Sequence, residues 1–562
     1  MSIIRRIIVL LFFLFLLPFS HALAQLSVAG FQQQVQQIIT KVSPACVSIS
    51  RFDSTGHKRF GTFSGVIVSS DGLVLTAAHA TITGERYLIE LPSGKSYIGI
   101  AKGRIPTVDA AFIKIQAQKE LLPFCETGWS YDLSVAQPCL SIAYPASFKK
   151  LSQPVVRFGQ VLRTLTPEGK MQTSCLMEPG DSGGPVFDMQ GRVIATHSKI
   201  EPALNENLEN PIDNYRKYWD ELNTMVSFPV DSFPDPQPIG TDPLEKRIRN
   251  SKPFPALMGI ASKANAKYQM LSVGIGSRMG EVSLSAWGSV VSLANDEHNK
   301  YIVSKSSIVG DEPTIIFSDG RKQSAKVLKR DSKNDLVLLQ ADGLSSSITI
   351  KDKTPAIAAY VQGTFLVSPS YTDSLRAGIL GLGSVDVGVS VQGYFGLICS
   401  PTDTLEAKII GFASHIPQKY GLKVGDVVHS VNGIAISNAK VLSQQIFLLQ
   451  PGDGILMSVG RGTEDLMIKG IVEKPVKVVN KHAADTFAGG PSTRSEGFEG
   501  VFVHDGKIRP EECGGPIFDI KGQFMGINIS RLSRTSNLGM PTSVILRFLT
   551  GYLKIKNNTQ TT

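Results

Sequence analysis

EPGDSGGPVFDMQG, residues 178 to 191, has a near copy much later in the chain, PEECGGPIFDIKG at 510 to 522. Both place one small side chain, Ser182 or Cys513, ahead of Gly-Gly-Pro, an apolar pair and an Asp. Two such turns in one chain predict two related domains. Outward from the first turn, residues 28 to 227 alternate short apolar runs with Gly, Asp and Ser turns, as in VSIS, GVIVSSDGLVLTAA, AAFIKI and GRVIATHS. That pattern predicts an all-β barrel or sandwich.

Three strings stand out within it: TAAHA at 76 to 80, VDAAFIKI at 108 to 115 and GDSGGP at 180 to 185. Singly, each has an ordinary explanation: a packed histidine, an Asp closing a turn, a tight glycine loop. In the order His, Asp, Ser, they make the segment resemble the chymotrypsin-like (trypsin-like) serine proteases, and more closely the HtrA type. The resemblance implies catalytic residues His79, Asp109 and Ser182. A serine hydroxyl is a weak nucleophile near neutral pH, so an imidazole must take its proton, and a carboxylate must orient that imidazole and balance its charge. The glycines let the backbone turn so that the N–H groups of Gly180 and Ser182 face an oxyanion. The resemblance also implies that the floor of the primary specificity pocket falls about six residues before the nucleophile, at Leu176, where trypsin-like enzymes carry an acid. A small or medium apolar side chain is therefore expected at the cleavage position. The other histidines of this segment, His57 and His197, lie in no comparable string.

Next comes NPIDNYRKYWDELN, 210 to 223, with Ile212, Tyr215, Tyr218, Trp219 and Leu222 on one helical face that is expected to pack on the barrel. The Pro-rich stretch 227 to 250 reads as an extended linker. Beyond it the strand pattern returns, and KNDLVLLQ lies against VDAAFIKI as ECGGPIFDIKG lies against DSGGPVFDMQG. His79 and Asp109 are 30 residues apart. Ser306 and Asp335 are 29 apart (335 − 306), so Ser306, to within a residue, takes the histidine's place. The second copy therefore reads as a degenerate site of Ser306, Asp335 and Cys513, without a base. An unassisted thiol has a pKa of about 8.5, and the acids Glu511 and Glu512 beside it would raise that further, so Cys513 reads as a relic. His482 and His504 precede it and are the histidines available to approach it.

Acid and nucleophile are 73 residues apart in the first copy (182 − 109) and 178 in the second (513 − 335). The excess is the size of a small domain. Within it, YGLKVGDVVHSVNG at 420 to 433 resembles a PDZ domain, which implies a carboxylate-binding loop at Tyr394, Phe395, Gly396 and Leu397 and a groove wall from Asn438 to Leu448. VGIGSRMG at 273 to 280 lacks the spacing of a nucleotide-binding loop and reads as a turn.

The chain has 562 residues, 42 % hydrophobic and 19 % charged, enough for several domains. Residues 1 to 24, with Arg5, Arg6, an apolar run and Ala22-Leu23-Ala24, read as a signal peptide, so the protein is expected to be exported, periplasmic or secreted. After cleavage no run is long enough to span a membrane. The net charge of +9 is scattered without a basic stripe, which argues against nucleic acid. Six cysteines leave room for one or two bridges in the first domain, and no ligand cluster indicates a metal or other cofactor.

The expected fold is mainly β: two chymotrypsin-like double β-barrel domains, the second degenerate, with a small α+β PDZ-like domain inserted in the second. The expected boundaries are 25–226 for the first domain, 251–390 and 476–555 for the two parts of the second, 391–475 for the insert and 556–562 for a polar tail. The expected function is an exported serine endopeptidase acting on unfolded or extended polypeptides, with the second half binding or regulating. Protein C-termini are the partners implied at the PDZ-like groove; proteins of the HtrA type commonly form homo-oligomers, but the loop that would show this is not identifiable in the sequence, which leaves assembly open. The alternative is a non-catalytic scaffold, chaperone-like or adaptor protein built on protease folds.

Overall fold

The computed structural model describes residues 28–52, 59–116, 120–201, 203, 206–231, 234–243, 268–351, 360–372, 375–390, 392–400, 406–475 and 487–560. The expected signal peptide, His57 and His482 lie outside these residues. Two six-stranded closed barrels make the first half. Barrel I runs from Cys46–Phe52 to Ala110–Ile115, and barrel II from Pro138–Ala143 to Asn207–Pro211. Period-two burial in Ser96–Ile105 turns one face inward, whereas Leu73–Thr76 and Pro138–Ala143 are buried throughout because a second layer covers them.

That second layer is partly helical. Helix Val28–Val42 buries Phe31, Val35, Ile38, Ile39 and Val42 against barrel I and against Phe365 and Ile379 of the second half. At roughly 1.5–3 kcal/mol for each fully buried large side chain, this stripe anchors the helix. The stretch after barrel II forms Ile212–Lys217 and Trp219–Leu222, with Phe112 stacked on Tyr215 and edge-on to Trp219. The described part of the linker leaves barrel I, where the Phe228 N–H bonds the carbonyl of Arg104, and reaches barrel II by Gly240 and Asp242. Arg192 holds Asp242 at 2.9 Å and 3.0 Å, and Trp129 donates to the carbonyl of Gly240 at 2.8 Å.

The second half repeats the plan with two departures. Its first sheet, from Ser272–Met279 to Leu336–Gln340, is rounded off by the chain itself and not by a ladder, its end strands Lys322–Ser324 and Lys326–Asp331 being joined through Ala325. The counterpart of the continuous Ser96–Ile105 strand is broken at Ala325: Lys322–Ser324 pairs with Thr314–Ile316, and Lys326–Asp331 pairs with Leu336–Gln340. The Ala325 N–H bonds the carbonyl of Pro313 at 2.8 Å, one step further in the same register, as the Ala101 N–H bonds the carbonyl of Glu85 in the first copy. Its second sheet, from Phe365–Pro369 to Asn537–Pro541, is a closed six-stranded barrel. Between two paired strands of that barrel, Leu375–Val387 and Phe498–His504, the chain makes the small α+β insert. Its sheet packs helix Ala439–Phe447 over a core of Phe395, Ile409, Val428, Leu442 and Met457. The expected polar tail is instead helical through Gln560, because Val544, Ile545, Phe548 and Leu549 seat helix Thr542–Gln560 on this barrel.

The halves meet side by side. Asp505 accepts from the N–H of Phe158 at 2.8 Å and of Ile379 at 2.6 Å, and Phe31, Phe158 and Phe365 pack as an aromatic trio. The six cysteines are free thiols, with the sulfurs of Cys139 and Cys175 facing each other at 3.9 Å.

Candidate active site and its degenerate counterpart

His79 sits in the short turn Ala78–Ala80 that ends a barrel I strand, and Asp109 sits just before the strand Ala110–Ile115 that pairs with it. Asp109 is held at φ +61°, a strained region for a residue with a side chain. Its Oδ1 accepts the backbone N–H of His79 at 3.0 Å, and both carboxylate oxygens lie 3.0 Å from His79 Nδ1. Across the barrel interface, His79 Nε2 is 2.9 Å from Ser182 Oγ. Ser198 Oγ donates to Asp109 Oδ2 at 2.5 Å and accepts from Lys170 Nζ at 3.1 Å. Burial acts against the charge of Asp109, but the His79 hydrogen bond and charge, with Ser198 and Lys170, outweigh it and hold the carboxyl below its usual range.

The turn carrying Ser182 is fixed from below. Gly180 adopts φ +96°, and a Cβ there would lie 2.5 Å from Ala146 N and 2.7 Å from Tyr144 O. Ser64 Oγ donates to the Gly180 carbonyl at 2.8 Å. Among the described residues the N–H groups of Gly180 and Ser182 have no acceptor, so both remain free to bind an oxyanion. Buried Arg157 reaches Asp181 Oδ2 at 2.7 Å, and burial raises the Asp181 pKa to about 6 against that pull. A buried pair flanks this turn: Glu209, raised by burial to about 8, accepts from Thr173 N–H and Oγ1, and His197, lowered by burial to about 3, touches Ser141.

Leu176 is not part of this cluster. Cys175 and Met177 point into the barrel, 1 % and 2 % exposed, so alternation turns Leu176 outward into a cavity of about 340 Å³ between the halves. Arg157, Arg376, Asp505 and Thr535 line that cavity with it, and neither His79 nor Ser182 does. The pocket-floor assignment is thereby corrected.

In the second copy the histidine's place is taken by Ser307, one residue later than the spacing indicates. Ser307 is the middle residue of the turn Ser306–Ile308, as His79 is of its own, and its backbone N–H donates to Asp335 Oδ1 at 2.7 Å. Ser306 instead receives Arg330 on its hydroxyl. Asp335 keeps the left-handed backbone, φ +55°, but binds Lys305 Nζ at 2.5 Å and the Ser307 hydroxyl at 2.9 Å. Cys513 is fully buried and burial pushes its thiol to about 11. Its N–H is consumed by the carbonyl of Pro510 at 3.2 Å, so the amide equivalent to that of Ser182 is not free. His504 is buried beside Gly506, with no hydrogen bond to Cys513. The insert covers this site: Arg494 spans to Asp453 at 3.0 Å and to the carbonyl of Ser332.

The insert carries a groove of about 680 Å³ between the edge strand Leu397–Cys399 and helix Ala439–Phe447, lined by Phe395, Leu397, Leu442 and Ile446. Gly396 (φ +70°) bends the chain at its end, and the N–H groups of Phe395 and Gly396 have no acceptor among the described residues. The described residues hold no cluster able to bind a metal ion, and no described helix is long and apolar enough to cross a membrane.

The two closed barrels and this cluster make one double-barrel domain, and residues 63–195 within it match the trypsin-like peptidase domain family. Similar proteins include the serine protease HTRA1B of Danio rerio, 29 % identical over 201 residues, which are 33 % of this chain and 41 % of the relative. A probable periplasmic serine endoprotease, DegP-like, of Pseudomonas putida is 32 % identical over 139 residues, 24 % of this chain and 29 % of the relative. The serine protease PepD of Mycobacterium tuberculosis is 27 % identical over 217 residues, 34 % and 46 %. The chain spans less than half the length of these relatives.

The sequence passed over Ser198, Ser64, Arg157 and Thr535. A serine sixteen residues past Ser182 in a strand has no local signature, and the other three act through contacts distant in sequence.

Proposed function

We propose that the protein is an exported serine endopeptidase that cleaves unfolded or extended polypeptides, with Ser182 as nucleophile, His79 as general base and Asp109 as the group that orients and balances it. The observation that carries this reading is the unbroken chain of contacts Asp109–His79–Ser182, at 3.0 Å and 2.9 Å. As Ser182 Oγ attacks the scissile carbonyl, its proton passes to His79 Nε2 and later to the leaving amine. The Gly180 and Ser182 amides receive the oxyanion. Extended substrates suit such a cleft because they bind by adding a strand. The groove of the insert suits a peptide C-terminus, its carboxylate on the free Phe395 and Gly396 amides and its strand beside Leu397–Cys399. Export rests on the leader-like first residues and on the periplasmic relative.

The test is labelling of the purified mature protein with a fluorophosphonate serine-hydrolase probe, alongside casein cleavage, for the wild type, Ser182→Ala and Cys513→Ala. Labelling and cleavage are expected in the wild type and Cys513→Ala, and neither in Ser182→Ala. A wild type that neither labels nor cleaves, even with unfolded protein or C-terminal peptides added, would sink the reading.

A further inference from the structure

The turn Ser533–Ser536 of the second half lies against the segment that leads into Ser182. Thr535 Oγ1 donates to Glu178 Oε2 at 3.1 Å, while the other oxygen of Glu178 is held by Ser147 N–H and hydroxyl. Glu178 in turn donates its backbone N–H to Asp181 Oδ2 at 2.8 Å and accepts the Asp181 N–H at 3.1 Å. Arg534, 3 % exposed, reaches the carbonyls of Glu201 and Ala203 at 3.2 and 3.4 Å and Asn207 Oδ1 at 3.3 Å. That Asn207 oxygen also accepts the backbone N–H of Met177 at 3.2 Å. The Thr535 contact therefore ends directly on the segment 177 to 181 that carries the Gly180 amide, and the Arg534 contact reaches it through Asn207.

The turn is stiff in itself. Ser533 Oγ accepts the N–H of Thr535 and of Ser536, and the Leu532 N–H bonds the Ser536 carbonyl. A rigid, buried donor pair supplied by one half to the loop ahead of the nucleophile of the other is a constraint that the first half does not provide by itself.

We propose that Arg534 and Thr535 are positioning residues for Ser182: the degenerate half holds the 177–181 segment so that the Gly180 and Ser182 amides stay aimed at the oxyanion. This rests on Ser182 being the nucleophile. Neither residue touches substrate, so the effect belongs in the chemical step and not in binding. Removal of both should lower kcat and the probe-labelling rate by about tenfold or more, the scale of one hydrogen bond to a charged group, with KM changed by less than about twofold.

The experiment uses the full mature chain as wild type, Arg534→Ala/Thr535→Val, Thr535→Val, Thr535→Ser, and Lys149→Ala, which removes a different contact between the halves. Labelling rate, kcat and KM on casein, thermal midpoint and amide hydrogen exchange of peptides covering 176–183 are read together. The expected result is slowed labelling and faster exchange in the double and Thr535→Val variants, recovery in Thr535→Ser, and no change in Lys149→Ala. Should the double variant fail to fold, Thr535→Val set against Thr535→Ser carries the comparison. Wild-type labelling and exchange in Thr535→Val would overturn the proposal. A wild type that does not label defeats the nucleophile reading, and exchange at 176–183 then judges the coupling by itself, with an unchanged rate in Thr535→Val refuting it.

Discussion

Asp109→Asn separates orientation of the imidazole from mere occupancy of its partner's site. His79 Nδ1 lies 3.0 Å from both carboxylate oxygens, so whichever way an Asn side chain is turned, its NH₂ stands at that distance from the ring nitrogen. The backbone N–H of His79 favours an oxygen at the Oδ1 position, which leaves the NH₂ at Oδ2, facing both Nδ1 and Ser198. An amide donor there forces Nδ1 to accept and moves the ring proton to Nε2, where it blocks uptake of the Ser182 proton. A wrong tautomer of this kind costs about 10⁴-fold in the chymotrypsin-like arrangement, which corresponds to roughly 5.5 kcal/mol of barrier. Loss of the charge-assisted bonds at Asp109 costs the fold about 1–3 kcal/mol, so the variant remains folded. The assay is the second-order rate of fluorophosphonate labelling at neutral pH, with thermal unfolding as the control. Labelling within tenfold of wild type, in a variant that melts normally, would refute the assignment of Asp109 as the orienting group.

Glu209→Gln tests the buried network beside the nucleophile turn: the folded pKa of Glu209, about 8, lies above the unfolded value, so its contribution to stability is full below about pH 4.5 and is lost as pH rises through 8. Denaturant melts should show the wild type losing roughly 1.4 kcal/mol per pH unit from this group across that window and the variant losing none, and parallel pH profiles would count against it. Gly180→Ala places a methyl 2.5 Å from Ala146 N on a backbone held at φ +96°, so the turn must shift. Probe labelling should fall by about 10²–10³-fold, the scale of one oxyanion donor, with circular dichroism unchanged, and undiminished labelling would show that the Gly180 amide is not used.

The triad was legible because each member sits in a short local string, and the relative order of three such strings carries more information than any one of them. Spacing alone placed the vanished histidine at Ser306, one residue early, since backbone geometry around Asp335 and not residue count determines the equivalence with Ser307. The helix Val28–Val42 was also within reach: Phe31, Val35, Ile38, Ile39 and Val42 recur at helical spacing, a signal masked by reading β pattern from Val28 onward. The split at Ala325 left no mark, because KQSAKVLKRD reads equally well as one strand or two. Leu176 failed as a pocket floor for a related reason. Its neighbour across the cavity, Thr535, lies hundreds of residues away, and nothing local announces a second half packed against that wall.

The two copies separate what the Gly-Gly-Pro turn needs in order to fold from what it needs in order to react. Both keep an arginine beneath the turn, buried Arg157 and half-buried Arg376, paired with the buried acid before the nucleophile position: Arg157 with Asp181, and Arg376 with Glu512 at 2.5 and 3.0 Å. Both keep the aspartate after the first barrel's turn in left-handed backbone, at φ +61° and +55°. Breaking a buried ion pair by removing one partner costs about 3–5 kcal/mol, so such pairs persist wherever the fold does, whether or not the site is used. The second copy differs at the positions that would serve only chemistry. The imidazole has become Ser307, and Lys305 now supplies the positive charge that Asp335 requires in a buried setting. The glycine of the oxyanion turn has become Glu511 within a 3₁₀ turn, and the Cys513 amide has closed onto Pro510. Over this surface Asp453 of the insert meets Arg494, while the turn Ser533–Ser536 of the same barrel offers Arg534 and Thr535 to the first copy. A domain without an imidazole at the histidine's place that still keeps its internal ion pairs retains a rigid frame, and rigidity is the property a neighbouring loop can use.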